Sequence, residues 1–148
     1  MRIVLSIDRI LDKIYAQSAL RTYMNQNARK IPMLTPDNRQ VLAQLVVGTF
    51  ADIILQLMPF VADLDLAEVD PDLLEVEFRS EFEIISSTTL RKALETTIAD
   101  NALAIVLTDD DTTIAREITR RAETNLENLR VLLALPPEGL HISPYFQC

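Results

Sequence analysis

Two glycines in 148 residues leave this chain few ways to turn sharply. Turns with positive φ fall to glycine, because a Cβ is strained there. Sandwiches and barrels need many such turns, so the chain must cover its length with long helices. An apolar fraction of 49% supplies an interior to pack them around. A chain of this length can bury roughly two thirds of its unfolded surface without metal or disulfide support.

Apolar residues recur at helical spacing in four stretches. The first holds Ile7, Ile10, Leu11, Ile14 and Tyr15 and runs on through Leu20, Tyr23 and Met24. Ser6 is placed to cap it, and Asp8 lies in its first turn. From Asn25 to Leu34 the periodicity stops, and Ile31-Pro32 reads as extended chain. Thr35-Pro36-Asp37 then gives a hydroxyl, a proline at the first helical position and an acid in the first turn, which predicts a helix start. That second helix reaches to about Met58, is the most apolar part of the chain, and is long enough for a membrane span. Its polar residues argue otherwise. Gln40, Gln44, Gly48, Asp52 and Gln56 recur at every fourth position with Thr49 beside them, and Pro59 ends the run. A central Asp in a membrane costs about 2.5–3.5 kcal/mol. The pattern predicts a buried central helix whose polar stripe faces solvent, a polar seam or a neighbouring subunit.

Ser86, Ser87 and Thr88 offer caps for a third helix with the stripe Leu90, Leu94, Ile98, Ala102, Ile105 and Val106, stopping near Thr108. A fourth carries Ile114, Ile118, Ala122, Leu126, Leu129 and Leu133, with Glu117 and Arg121 spaced to pair on its outer side. The acids Asp109 to Asp111 make a short connection, which predicts an antiparallel hairpin.

One stretch has a period of two. Leu74, Val76 and Phe78 alternate with Glu75, Glu77 and Arg79, and Phe82 and Ile84 keep the phase. Such a strand needs a hydrogen-bonding neighbour. Arg2–Leu5 is one choice and another protein chain is the other. The expected fold is mainly α, a four-helix bundle-like domain with a closing antiparallel helical hairpin and one or two short β-strands. It spans residues 1–135, and Pro136-Pro137 opens an extended C-terminal arm over 136–148. The apolar arm residues Leu140, Ile142, Tyr145 and Phe146 join Leu74, Val76 and Phe78 as the expected interaction residues, the arm either contacting another chain or folding back onto its own domain.

The formal net charge of −8 disfavours a reader of DNA grooves and a binder of anionic membranes. The acidic run Asp63, Asp65, Glu68, Asp70, Asp72 fails as a calcium loop. Such a loop needs glycine at its sixth position and Glu at its twelfth, where this chain has Glu68 and Leu74. His141 is the sole histidine and Cys148 the sole cysteine, which is too little for a usual zinc site. No Gly-x-Ser-x-Gly elbow exists, and Gly48 and Gly139 cannot form a glycine-rich phosphate loop. Asp52 stands out inside an apolar helix; its expected place is the polar stripe, with acid–base work the lesser reading. The sequence therefore points to no enzyme, no catalytic residue, no cofactor and no metal. It points to protein partners, without sequence-specific nucleic acid or membrane. Met1 to Leu5 is too short for a signal-peptide core, so an intracellular place is expected.

The order of these parts is similar to a known layout. A first helix leads to Leu34-Thr35-Pro36-Asp37-Asn38-Arg39, which opens a long apolar helix ending in Met58-Pro59-Phe60-Val61. The alternating strand Leu73–Arg79 follows, and then Leu90-Arg91-Lys92-Ala93-Leu94 near the start of the hairpin. This resembles small uncharacterised prophage-encoded proteins of gut bacteria, and in layout the helical adaptor proteins of phage head–tail connectors. The resemblance covers most of the chain, rests on layout, and assigns no site residues. It implies a non-enzymatic virion or virion-assembly protein, such as a head–tail connector or tail-completion component. It would act by self-association or with other virion proteins, in the bacterial cytoplasm or the virion. The alternative is an intracellular adaptor that binds a single host protein.

Overall fold

The computed structural model describes residues 1–24, 34–63, 72–79, 86–108 and 112–134. A first strand, β1 (Arg2–Ser6), passes directly into helix α1 (Ile7–Met24). The Ser6 hydroxyl accepts from Arg9 N–H at 3.3 Å, as a residue capping this helix start should. At the Thr35 start, Thr35 N–H donates to Asn38 Oδ1 at 3.1 Å. A 3₁₀ turn over Pro36–Asn38 then feeds α2 (Arg39–Gln56). A second 3₁₀ turn over Met58–Phe60, built around Pro59, ends α2 and leads to β2 (Val61–Asp63). Strand β3 (Leu73–Phe78) is followed by α3 (Ser87–Leu107) and α4 (Thr112–Ala134). Ser86 caps α3, its hydroxyl accepting from Thr89 N–H at 3.2 Å.

Among the described residues the sheet has three strands in the order β1-β3-β2, all antiparallel. Strand β3 therefore finds its partner within the chain, in register from Arg2 opposite Glu77 to Ser6 opposite Leu73. Val61 pairs with Phe78 and Asp63 with Glu77 on the other side, across an irregularity. The period of two has the expected consequence. Leu74, Val76 and Phe78 face inward with Ile3 and Leu5 and are buried. This corrects their reading as contacts for another chain, because their side chains already belong to the core.

The core shows which helix is central. Helix α3 packs against α1, α2, α4 and β1. It buries Leu90, Leu94, Glu95, Thr97, Ile98, Ala99, Asp100, Ala102, Leu103, Ala104 and Leu107, so residues on nearly every side of it are enclosed. Ile105, expected in its apolar stripe, is exposed instead. Helix α2 buries one face only, through Leu42, Val46, Thr49, Phe50, Ile53 and Ile54. Its expected role as the buried central helix thus belongs to α3. The closing hairpin is α3 with α4, whose Ala115, Ile118, Ala122, Leu126, Leu129 and Leu133 are buried. No helix among the described residues is long and apolar enough to cross a membrane.

Candidate functional site

Two features stand out, and both lie on helices: a polar seam inside the bundle and the outer face of α2. The seam begins with α1. Arg9, Lys13 and Gln17 follow one another at four-residue intervals, so they share one side of that helix. Opposite them on α3 stand Arg91, Glu95 and Asp100.

Asp100 is 1% exposed and fully engaged. Arg121 of α4 donates Nε to Oδ2 at 3.0 Å and Nη2 to Oδ1 at 2.7 Å. This is the two-pronged geometry that makes arginine–carboxylate pairs strong. Gln17 Nε2 donates to Oδ1 at 3.2 Å and Asn125 Nδ2 reaches Oδ2 at 3.5 Å. Arg121 Nη2 also donates to Gln17 Oε1 at 2.8 Å, which closes a clasp across α1, α3 and α4. The expected Glu117–Arg121 pair is replaced by this one. A guanidinium that reaches a buried carboxylate gains more than it does from an exposed partner on its own helix.

Glu95 is 2% exposed and less well served. Arg9 Nε stands 3.2 Å from its Oε1 and Arg91 Nε 3.9 Å. Neither contact is aligned as a hydrogen bond, so among the described residues Glu95 Oε1 and Arg91 Nε are both buried without a hydrogen-bond partner. Other atoms of residues Arg91 and Glu95 line an open cleft of about 470 Å³ between α1 and α3, together with Arg9, Asp12, Lys13, Lys92 and Thr96.

The outer face of α2 is of another kind. Gln40, Gln44, Gly48, Asp52 and Gln56 are all exposed, as the four-residue spacing predicts, while Thr49 turns inward and donates its hydroxyl to the Leu45 carbonyl at 2.8 Å. Val41 and Leu55 lie on the same exposed face, 71% and 65% accessible. At about 100° per residue, Val41, Gln44, Asp52 and Leu55 all fall within about 40° of the line through Gly48. A Cβ built at Gly48 meets nothing within 4 Å. Asp52 thus sits exposed on the outer face of α2, and none of the clefts lined by the described residues includes it.

Of the other sequence candidates, Asp72 is tied to Arg39 at 3.1 Å, and the same guanidinium holds Asp8 at 2.9 Å. That fixes the start of α2 to α1 and β3. Asp63 lies on β2. Asp65, Glu68, Asp70, Phe82, Ile84, Asp109 to Asp111, and the arm with Leu140, His141, Ile142, Tyr145, Phe146 and Cys148 lie outside the described residues, as does Ile31-Pro32. Among the described residues no group of three or more His, Cys, Asp or Glu side chains could hold a metal ion. Sequence reading missed Glu95 and Asp100. The available signal was two acids spaced among the apolar positions of α3, since a buried carboxylate requires partners.

No protein-family model, curated protein or solved structure matches the chain.

Proposed function

We propose that this chain is a non-enzymatic virion or virion-assembly component, of the head–tail connector or tail-completion kind, that works by self-association through the outer face of α2. One observation carries the self-association: the exposed stripe of α2 is complementary to itself. If two copies lay their α2 helices antiparallel and crossed at Gly48, Val41 would face Leu55 and Gln44 would face Asp52. Apolar residues meet apolar ones, and each amide meets an acceptor. The glycine stands where the backbones come closest. A two-fold contact needs a patch that matches its own rotated image, and this stripe does.

A two-fold contact closes at two copies, so a larger ring needs a second and different contact. The arm residues Leu140, Ile142, Tyr145 and Phe146 are the sequence-level choice for it. The virion role itself is supported by the layout resemblance and by the acidic charge of −8, which would let DNA pass a ring without sticking.

The stripe from Val41 to Leu55 runs about 21 Å along α2, which sits at the small end of specific interfaces. Sedimentation equilibrium should therefore show a monomer–dimer exchange with a Kd of about 10 μM. The double variant Val41→Glu with Leu55→Glu should be monomeric at every concentration and retain its helix content. A wild-type chain that stays monomeric at about 100 μM, well above that Kd, would favour the adaptor alternative. Negative-stain imaging with the products of neighbouring genes would then test for closed rings.

A further inference from the structure

The two edges of the sheet are built differently. Strand β2 forms one of them; it is 3 residues long, irregular in register, and carries the acid Asp63. Short length, a bulge and a charge are what keep an edge from pairing with another chain. Strand β1 forms the other edge. It is regular along its 5 residues and holds no proline and no acid. Its one charged side chain, Arg2, is bound to Glu75 of β3.

The register shows what the β1 edge offers. Met1 and Phe78 exchange both backbone bonds at 2.8 Å, and Ile7 N–H donates to the Asp72 carbonyl at 3.0 Å. Bonded pairs alternate in an antiparallel ladder, so Ile3 and Leu5 are the residues of β1 that bond to β3. The N–H and C=O groups of Arg2 and Val4, and the N–H of Ser6, therefore point away from β3. None of them has a partner among the described residues.

We infer that β1 pairs antiparallel with β1 of a second copy, about a two-fold axis between the two Val4 residues. Each Val4 then exchanges N–H···O=C bonds with its counterpart, and Arg2 stands opposite Ser6. A two-fold contact needs a patch that matches its own rotated image, and this row of groups is centred on Val4. Each copy has a net charge of −8, so the strands that meet must be free of acids. Strand β1 is free of them, and the pairing sets no like charges opposite each other. Ile3 and Leu5 stay in the core, and the two sheets become one. The contact is small and of the weak class, so it joins copies already paired through α2. It supplies a second contact for larger assemblies, and in that role it rests on the self-association proposed above.

Disulfide trapping in the full chain reads this pairing even where it is weak. In a Cys148→Ser background, Val4→Cys sets two Cα atoms about 5.5 Å apart, within the range of a disulfide. Arg2→Cys leaves its two thiols four residues apart along the strands, about 14 Å, beyond that range. Mild oxidation should give a covalent dimer of the first and leave the second monomeric. Adding Arg2→Pro to Val4→Cys removes an N–H that bonds only the partner and keeps the bonds to β3, so the cross-link should slow several-fold. Adding Val41→Glu with Leu55→Glu, which blocks α2 pairing, should slow it without abolishing it. An unchanged rate there would count against α2 pairing and leave the β1 contact standing. Equal cross-linking of Val4→Cys and Arg2→Cys, none at Val4→Cys in either background, or no slowing by the proline would overturn the assignment.

Discussion

Asp100 and Glu95 are carboxylates on the same helix, buried to the same degree, and treated in opposite ways. Asp100 receives donors from Gln17, Arg121 and Asn125, drawn from two other helices. Glu95 has two guanidinium groups nearby and a carboxylate oxygen that no aligned donor reaches. A buried charge needs aligned hydrogen bonds as well as a nearby counter-charge, because desolvation must be offset atom by atom. The clasp at Asp100 therefore reads as architecture that fixes how α1, α3 and α4 meet. Glu95, with nearby guanidinium groups but no aligned bond to that oxygen, fixes less.

The largest effect expected from this contrast is in Arg121→Ala, which strands a carboxylate that is 1% exposed. Urea unfolding should show a loss of about 3 kcal/mol. Asp100→Ala should lose less, about 2 kcal/mol, because the stranded guanidinium is 44% exposed and can turn to water. The double variant should lose less than the sum of the two, since each single change breaks the same pair. Glu95→Gln should change stability by under about 1 kcal/mol, as one of its oxygens already lacks a bond. A loss as large as that of Arg121→Ala would erase the distinction between the two acids.

The smallest effect concerns Tyr15, whose hydroxyl is buried without a hydrogen-bond partner among the described residues. Burial raises its pKa above the ordinary tyrosine value, Arg39 pulls it back, and Asp12 and Asp8 push it up. The folded state thus holds this proton longer than the unfolded chain does. Its contribution is whole below about pH 10 and is lost as pH climbs through the folded value. Tyr15→Phe should be near neutral at pH 7 and should flatten the alkaline fall in stability, read from unfolding midpoints between about pH 9 and 11.

Much of the architecture was legible in the sequence. Proline and cap residues marked the starts at Thr35 and Ser86, and the period of two at Leu74, Val76 and Phe78 gave the strand its face. Periodicity did not rank the helices. Helix α2 is more apolar than α3, yet α3 is the enclosed one, because its alanines and threonines let neighbours approach from several sides. The seam was hidden for a related reason. Arg121 has a local partner at Glu117 by spacing, and only the packing of α3 against α4 brings Asp100 within its reach. The α2 stripe was the reverse case, since a four-residue interval is itself a geometric statement about one face.

Cysteine cross-linking tests the self-pairing of α2 most directly. In a Cys148→Ser background, Gly48→Cys places two thiols at the crossing point, while Gln44→Cys places them about 12 Å apart along the antiparallel helices, beyond the reach of a disulfide. Mild oxidation should convert the Gly48→Cys chain to a covalent dimer and leave the Gln44→Cys chain monomeric. Equal cross-linking of the two, or none at Gly48→Cys, would contradict the account.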